Sequence, residues 1–268
     1  MWKKSLRGFS SMAFAVLAAM FLVSAEAADI HNEKHKFFFS GEIRAGDAER
    51  FAVLVARLPV VSNVTINTSG GDVGEAIRLA ELVKGLHIDV LVQKGGYCVS
   101  ACFFIFLEGY YRVASWAQDD GTLIPSDRRA NWPGPIGIHR PYLSSTGGDV
   151  RSIKRQEEIM RRIRSYLNVK AVPQHLVDEM MARPSNDIYW LTKRDLMLIG
   201  DYGPGVEEAL VARCGYKRFH QSDAEGWSKE RYQALAHCAF EHWDEQYVPL
   251  QRAFIARLKA GWRPWNGR

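Results

Sequence analysis

The sequence lacks several features that would assign a protein to a common class at once. None of its Cys/His spacings resembles a zinc site, because its Cys-x3-Cys pair has no second pair of matching spacing, and we expect neither a metal nor a cofactor. The formal net charge of +5 is too mild to argue for nucleic acid as a partner. It has no internal repeats and no low-complexity segment. Its 268 residues, 47% hydrophobic and 24% charged, are those of an ordinary globular domain with a full core.

The first 27 residues differ in character from the rest of the chain. Three cations precede the apolar run Met12–Val23, and small residues stand at Ala25 and Ala27. This order is typical of a secretory signal peptide, so we expect a mature chain that begins near Ala28 and is periplasmic or secreted. The run of about 12 residues is shorter than the roughly 20 that span a bilayer, and no later stretch is long enough. An uncleaved membrane anchor is the alternative.

Residues 36–94 alternate between the apolar period of a strand and that of a helix. Strands are predicted at 36–43, 61–72 and 88–94, with helices at 45–58 and 73–86. Short strand–helix–strand units predict right-handed crossovers and a largely parallel sheet.

The remaining elements are less regular. Residues 101–107 are apolar on every side and are expected to be buried, whatever structure they take. A polar loop is predicted at 116–135 between strands at 110–115 and 136–140. Later helices are predicted at 149–167, 173–183, 228–240 and 245–260, with a short strand and helix within 187–203. We divide the chain into a signal peptide (1–27), an α/β domain (28–204) and a helical extension (205–268).

A serine between two cysteines, in GGYCVSACFF at 95–104, is the first candidate for chemistry. A strand is predicted to end near Lys94, a glycine pair permits a sharp turn, and a helix is predicted to begin after Ser100. A serine becomes a nucleophile only where a base takes its proton and donors receive the oxyanion. The helix start offers backbone N–H groups, and a second glycine pair, in NTSGGD, follows the preceding strand. The alternatives are a helix cap at Ser100 or a nucleophilic thiolate at Cys98.

Four segments in order resemble the Clp protease proteolytic subunit and its crotonase-fold superfamily: INTSGGDVGEAIRLAELV, GGYCVSACFFIFLEG, IGIHRP and YWLTKRDLMLIG. Within that superfamily the sequence resembles in particular the exported Clp-like proteins of bacteria. The resemblance covers about residues 37 to 204 and implies a ClpP/crotonase-like α/β fold, with the helical extension as an addition. It also implies roles for four residues. Ser100 matches the nucleophile, His139 the general base, and the amides of Gly71 and Ala101 the oxyanion-hole donors.

The third member of a triad matches less well. The family's acid precedes an FLS box, for which this chain has YWLT at 189–192. A gap-free match puts Ile188 at the acid position, and Asp187 lies one residue early. We take Asp187 as the predicted acid, with an ordinary surface acid as the alternative reading. Asn186 is another group that would orient the imidazole.

The resemblance implies an exported serine hydrolase with a peptide or protein substrate. We expect no ATPase partner outside the cytoplasm and no large processive ring, although a homo-oligomer is compatible with the sequence. One alternative is a non-catalytic binding or assembly module on the same scaffold. Another is an acyl-thioester enzyme of the crotonase type. The basic helix at 149–167 is read as a solvated face, with an oligomer contact or an anionic partner as its alternative.

The four cysteines are an even number in a chain expected to be exported, which permits disulfides. Cys214 and Cys238 both lie in the extension and are predicted to pair, closing a loop of about 25 residues. Cys98 and Cys102 are then left to each other. Four residues apart at a helix start, their Cα atoms would be about 6 Å apart, within the range of a disulfide. That bond would cross the turn that carries Ser100.

Overall fold

The computed structural model describes residues 28–123, 131–142, 150–203, 205–215 and 228–266. The signal peptide expected at 1–27 and the middle of the loop expected at 116–135 lie outside these residues. Among the helices of the described ranges, none combines the length and the apolar content that a membrane span needs.

Eight strands and nine helices are found in the described residues. The strands are β1 (Asp29–Glu33), β2 (Lys36–Ser40), β3 (Asn63–Asn67), β4 (Asp89–Val92), β5 (Cys98–Val99), β6 (Arg112–Val113), β7 (Ile136–Ile138) and β8 (Tyr189–Trp190). The helices are α1 (Asp47–Val55), α2 (Val73–Leu86), α3 (Cys102–Leu107), α4 (Val150–Val169), α5 (Gln174–Ala182), α6 (Lys193–Ile199), α7 (Val206–Cys214), α8 (Lys229–Gln246) and α9 (Val248–Lys259).

The strands form two sheets. The larger has the order β1-β2-β3-β4-β6, in which only β1 and β2 pair antiparallel. The smaller has the order β5-β7-β8, with β5 parallel and β8 antiparallel to β7. The predicted α/β fold with parallel βαβ units is confirmed, but the strands are divided between two sheets. The chain leaves the large sheet after β4 at Gly95, whose φ of +69° costs a glycine nothing.

Alternating burial explains how β3 and α2 are placed. In β3, Val64 and Ile66 are buried while their neighbours are half-buried, as expected for a strand with one covered face. Helix α2 begins where the carboxylate of Asp72 accepts the Glu75 amide hydrogen at 2.7 Å. Its buried stripe joins α1 and the large sheet in one apolar core. The glycine turn between Asn67 and α2 is therefore held at the end of a buried strand.

The helical C-terminal extension is present in its described part and packs on the α/β domain. Helix α9 lies against α1 and α2, and its Ile255 and Leu258 belong to the main core. The buried amide of Gln251 joins two connections of the domain. Its Nε2 donates to the carbonyls of Val61 and Leu86 at 2.9 and 2.6 Å, and its Oε1 accepts the Val61 amide hydrogen at 2.9 Å.

Candidate active site

Ser100 lies at a sharp turn between strand β5 and helix α3. Its φ is +58°, in the left-handed region that costs a non-glycine residue about 1–2 kcal/mol. Its amide donates to the Gly137 carbonyl at 2.8 Å and its carbonyl accepts from the Phe103 amide at 3.0 Å, which holds the turn on both sides. Elsewhere in the described ranges, positive φ at non-glycine residues occurs in the β-hairpin or within two residues of the end of a helix, at Lys34, His87 and Ala171. Strained backbone of this kind is concentrated at functional sites.

A disulfide closes over this turn. Cys98 and Cys102 are buried and bonded, with Cα atoms 5.4 Å apart, and Cys214 is bonded to Cys238 in the extension. Both predicted pairings are confirmed. Because the first bond joins residues on either side of Ser100, it restrains the backbone that presents the serine. A disulfide sulfur has no thiolate to offer, which removes Cys98 as a nucleophile.

The glycine turn after β3 packs directly against the serine turn. A Cβ on Gly70 would lie 2.7 Å from the Ser100 Cβ and 3.0 Å from the Ala101 nitrogen, so a larger residue does not fit. Thr68 holds the glycine turn from within, since its Oγ1 accepts the Gly70 amide hydrogen at 3.0 Å. The Thr68 carbonyl also accepts the Val99 amide hydrogen at 3.0 Å. The two turns are thus fixed to each other through their backbones.

Gly71 and Ala101 were predicted to donate amide hydrogens to an oxyanion. A β-bridge joins the segment at Gly71 to Ile43. The Ile43 amide donates to the Gly70 carbonyl at 2.7 Å, and the Asp72 amide donates to the Ile43 carbonyl at 2.9 Å. Because successive amides of an extended chain point to opposite sides, the Gly71 N–H points away from Ile43. Over the described ranges, neither the Gly71 nor the Ala101 amide donates a hydrogen bond. Two free amides on adjoining turns beside a serine can hydrogen-bond a developing negative charge.

His139 follows β7, the strand that pairs with β5. It is 7% exposed and lies two residues after Gly137, whose carbonyl accepts the Ser100 amide hydrogen. The His139 Nδ1 lies 3.0 Å from the carbonyl oxygen of Arg140. No hydrogen bond joins the side chains of Ser100 and His139 in the part of the chain that the structure describes. Their segments are neighbours, since paired strands lie about 4.8 Å apart.

Asp187 lies in a surface ion pair. Its carboxylate accepts a hydrogen bond from the Arg183 Nη1 at 3.0 Å, and its side chain is 51% exposed. Within the described ranges it makes no hydrogen bond to His139. Ile188, at the family's acid position, lies against Gly137, where an added Cβ would approach its Cγ2 to 2.5 Å. The predicted role of Asp187 in orienting His139 therefore stays a prediction.

Asp195 is a buried acid near the YWLT box that the sequence reasoning missed. Its carboxylate contacts the His175 Nε2 at 2.7 Å and accepts from the Tyr189 hydroxyl at 3.0 Å and from the Thr192 amide at 2.9 Å. Burial alone would raise the pKa of Asp195, but these hydrogen bonds lower that pKa below its usual value. The T-x-x-D spacing was the available signal, because Thr192 and Asp195 form the capping box of α6. Asp195 has a structural role at the start of this helix.

Asn67 was also missed. Its Oδ1 accepts the Tyr97 amide hydrogen at 3.2 Å and so ties the end of β3 to the segment before Ser100. A polar residue at the last position of an alternating strand was the signal for it. The described ranges contain no group of three or more His, Cys, Asp or Glu side chains placed to hold a metal ion.

Comparison with known proteins finds likeness in fold only. No protein-family model matches the sequence, and no curated protein matches it. Among solved structures, ClpP1 from Listeria monocytogenes has a TM-score of 0.42 at 18% identity, covering 63% of this chain and 89% of that chain. A point mutant of the same protein gives 0.43 at 17% identity, with the same coverage. A substituted form of the 1510-N membrane-bound stomatin-specific protease gives 0.42 at 15% identity, covering 68% of this chain and 84% of that chain. Values this low establish neither family membership nor an activity.

Proposed function

We propose that this protein is a serine hydrolase that cleaves peptide bonds, with Ser100 as nucleophile and His139 as general base. The strained serine turn is the observation that carries the proposal. An N-cap serine has an extended backbone, and its side chain accepts an amide hydrogen from the first helical turn. Ser100 has positive φ, the N-cap of α3 is Ala101, and no side chain caps that helix. A capping role does not account for this conformation, whereas presentation of a nucleophile does.

The hydrogen bond at His139 supports its role as the base. A carbonyl oxygen only accepts, so the 3.0 Å contact with the Arg140 carbonyl favours the tautomer with hydrogen on Nδ1. In a neutral ring, Nε2 then has a lone pair for the Ser100 hydroxyl proton. The Arg140 carbonyl would thus take the orienting role that the resemblance gave to an acid. Asp187 in that role is the alternative, and Asp187→Asn tests it: loss of activity would favour the acid.

The reaction follows from these groups. His139 Nε2 takes the hydroxyl proton as Ser100 Oγ attacks the carbonyl carbon of the scissile peptide. The amides of Gly71 and Ala101 receive the oxyanion, and the imidazolium returns the proton to the leaving amine. Water then hydrolyses the acyl-enzyme by the same steps. Because no hydrogen bond joins the two side chains within the described residues, the Ser100 hydroxyl and the His139 imidazole must approach each other before the proton moves, and catalytic hydrogen bonds often form only when substrate binds.

Export and self-association belong to the proposal. Two disulfides suit an oxidising compartment, so we propose a periplasmic or secreted mature chain that starts near Ala28. N-terminal sequencing of protein from a fractionated native host tests this, and a retained segment before Ala28 would contradict it. Light scattering of the mature protein measures whether it forms a homo-oligomer.

The activity is tested by incubating mature protein with a peptide mixture and identifying fragments by mass spectrometry. We expect cleavage by the wild type and by Ser62→Ala, a control at a half-buried serine just before β3, at the end of that strand away from the serine turn. Ser100→Ala and His139→Ala should each lower the rate by roughly a thousandfold or more. Cleavage by Ser100→Ala at the wild-type rate would refute the proposal.

A second candidate is a non-catalytic peptide-binding module on the same scaffold. Two observations favour it: no hydrogen bond joins Ser100 to His139 within the described residues, and Asp187 pairs with Arg183. If the protein is such a module, peptides should bind equally well to the wild type and to Ser100→Ala, and should be recovered uncleaved from both. Cleavage that depends on Ser100 rules it out.

A further inference from the structure

An open cavity of about 490 Å³ begins next to the candidate base. Arg140, which lines it, follows His139 directly, and consecutive Cα atoms are about 3.8 Å apart. The Arg140 amide donates to the carbonyl of Arg183 at 2.9 Å, so the end of β7 is fixed to the end of α5. We call this space the arginine cavity.

Helix α4 forms one wall of the arginine cavity. Its lining residues are spaced three or four apart, from Ile153 through Met160 to Arg164, and so lie on one face of the helix. Arg155 lies two residues beyond Ile153, about 200° around the helix, and does not line the cavity. The wall is therefore one face of α4, and Arg155, on another face of the same helix, serves as a control for the arginines that line the cavity.

The lining of the arginine cavity combines apolar and cationic side chains. Ile153, Met160 and Met181 supply the apolar surface, and the Ile153 side chain is 51% exposed. Three arginines line the cavity, at 140, 161 and 164, against one acid, Glu157. Arg161 already pairs with a glutamate outside the cavity, Glu158.

Two of these arginines are available to a ligand. Arg140 and Arg164 are exposed, and within the described ranges neither side chain has an ion pair or a hydrogen bond. A guanidinium presents a planar fork that matches a carboxylate in two parallel hydrogen bonds. An apolar surface beside free guanidinium groups fits an anion attached to an apolar body.

We propose that the arginine cavity binds a carboxylate of the peptide substrate, held by Arg140 and Arg164, with an apolar side chain beside it on Met160 and Met181. The inference rests on the proposed function, since it names the substrate class of that site. The volume lies within the range of sites that enclose small ligands. The carboxylate belongs either to the end of a chain or to an Asp or Glu side chain, and both would approach the reacting groups from the His139 side.

Binding is measured by fluorescence anisotropy in a Ser100→Ala background, so that cleavage is not needed. Three labelled peptides share one apolar sequence and differ at the end: a free carboxylate, a neutral amide, and an amide after glutamate. We expect at least one carboxylate peptide to bind about tenfold more tightly than the neutral amide, and this advantage to shrink as salt is raised. Whichever acidic peptide has the advantage identifies the source of the carboxylate.

Variants assign the effect to the cavity. Arg140→Gln and Arg164→Gln should each raise the Kd of the favoured acidic peptide about threefold to tenfold and leave that of the neutral amide unchanged. Arg155→Gln, with the same charge change on the other side of α4, should leave both unchanged. Equal binding of all three peptides, no binding of any, or an equal loss in Arg155→Gln would overturn the inference.

The outcome is separable from that of the proposed function. Carboxylate selectivity without Ser100-dependent cleavage would refute the hydrolase and keep the cavity. Cleavage without carboxylate selectivity would do the reverse. Circular dichroism of each variant shows whether it is folded, and the arginines concerned are exposed in the structure.

Discussion

Replacing Ser100 by glycine should leave the protein more stable than replacing it by alanine. Both variants lack the hydroxyl, so they differ in the Cβ and the backbone freedom. Alanine at φ +58° retains a strain of about 1–2 kcal/mol, which glycine lacks. Glycine loses about 0.5–1 kcal/mol more backbone entropy on folding. The net expectation is that Ser100→Gly is more stable than Ser100→Ala by about 1 kcal/mol.

Thermal and urea unfolding of the oxidised variants measure this difference. One kcal/mol corresponds to a rise in Tm of about 2–4 °C for a domain of this size. Ala256→Gly, at an exposed position inside α9, is the control. Alanine is unstrained there, so glycine should lower the free energy of unfolding by about 1 kcal/mol. If Ser100→Gly is less stable than Ser100→Ala by half a kcal/mol or more, the strained turn does not exist as described. The proposed function then loses its main support.

Three further perturbations test the surroundings of the site. Gly71→Ala would put a Cβ 2.1 Å from the carbonyl oxygen of Ile43, whereas at Gly46, also at positive φ, nothing lies within 4 Å. In urea unfolding we expect Gly71→Ala to cost about 2 kcal/mol more than Gly46→Ala, and equal costs would contradict the contact. Gln251→Leu removes the partner of the Val61 amide and of the Val61 and Leu86 carbonyls, and should lower the free energy of unfolding by about 3 kcal/mol in the same assay. A loss below about 1 kcal/mol would contradict these hydrogen bonds. Burial raises the pKa of Asp89 to about 7, so the folded chain keeps a proton that the unfolded chain loses above about pH 4. Stability therefore falls between those values. Three pKa units correspond to about 4 kcal/mol at most, and because Asp89 is half-buried and partly solvated, Asp89→Asn should gain about 2 kcal/mol at pH 8 and little at pH 4. An equal gain at both pH values would refute the titration.

Helix α2 and strand β1 show what the sequence could predict of the fold. Apolar spacing predicted a helix over 73–86, and the structure has Val73–Leu86, because the buried stripe and the Asp72 cap are both local signals. Strand β1 was missed, since in DIHNE only Ile30 is buried and no alternation marks a strand. It forms through its antiparallel pairing with β2, which is a tertiary cause.

The C-terminal extension shows a second limit. Its helices follow from apolar spacing, but their packing against the α/β domain does not. In the structure, Trp262 and Trp265 pack against the main core, and Trp243 donates to the His87 carbonyl at 2.7 Å. Gln251 is polar and gives no sign of burial, because its partners are backbone groups 165 and 190 residues earlier in the sequence. The packing of the extension on the domain depends on shape and on hydrogen bonds to the backbone, and neither produces a periodic pattern in the sequence.

The candidate site, too, could be predicted from the sequence only in part. The resemblance implied that the glycine and serine segments act together, and in the structure the turn at Gly70 packs against the turn at Ser100. The surroundings of His139 could not be predicted, because its observed acceptor is the backbone carbonyl of Arg140. The pairing of Asp187 with Arg183 depends on how α5 ends, which a one-residue shift in a motif does not reveal.

Covalent labelling by a fluorophosphonate tests the role of Ser100 most directly. The reagent is incubated with mature wild-type protein, Ser100→Ala and His139→Ala, and the modified residue is located by peptide mapping. An activated serine predicts one adduct, on Ser100, that is absent from Ser100→Ala and forms much more slowly in His139→Ala. An adduct that forms equally in Ser100→Ala, or no adduct on folded, oxidised wild type, would contradict the assignment of Ser100 as a nucleophile.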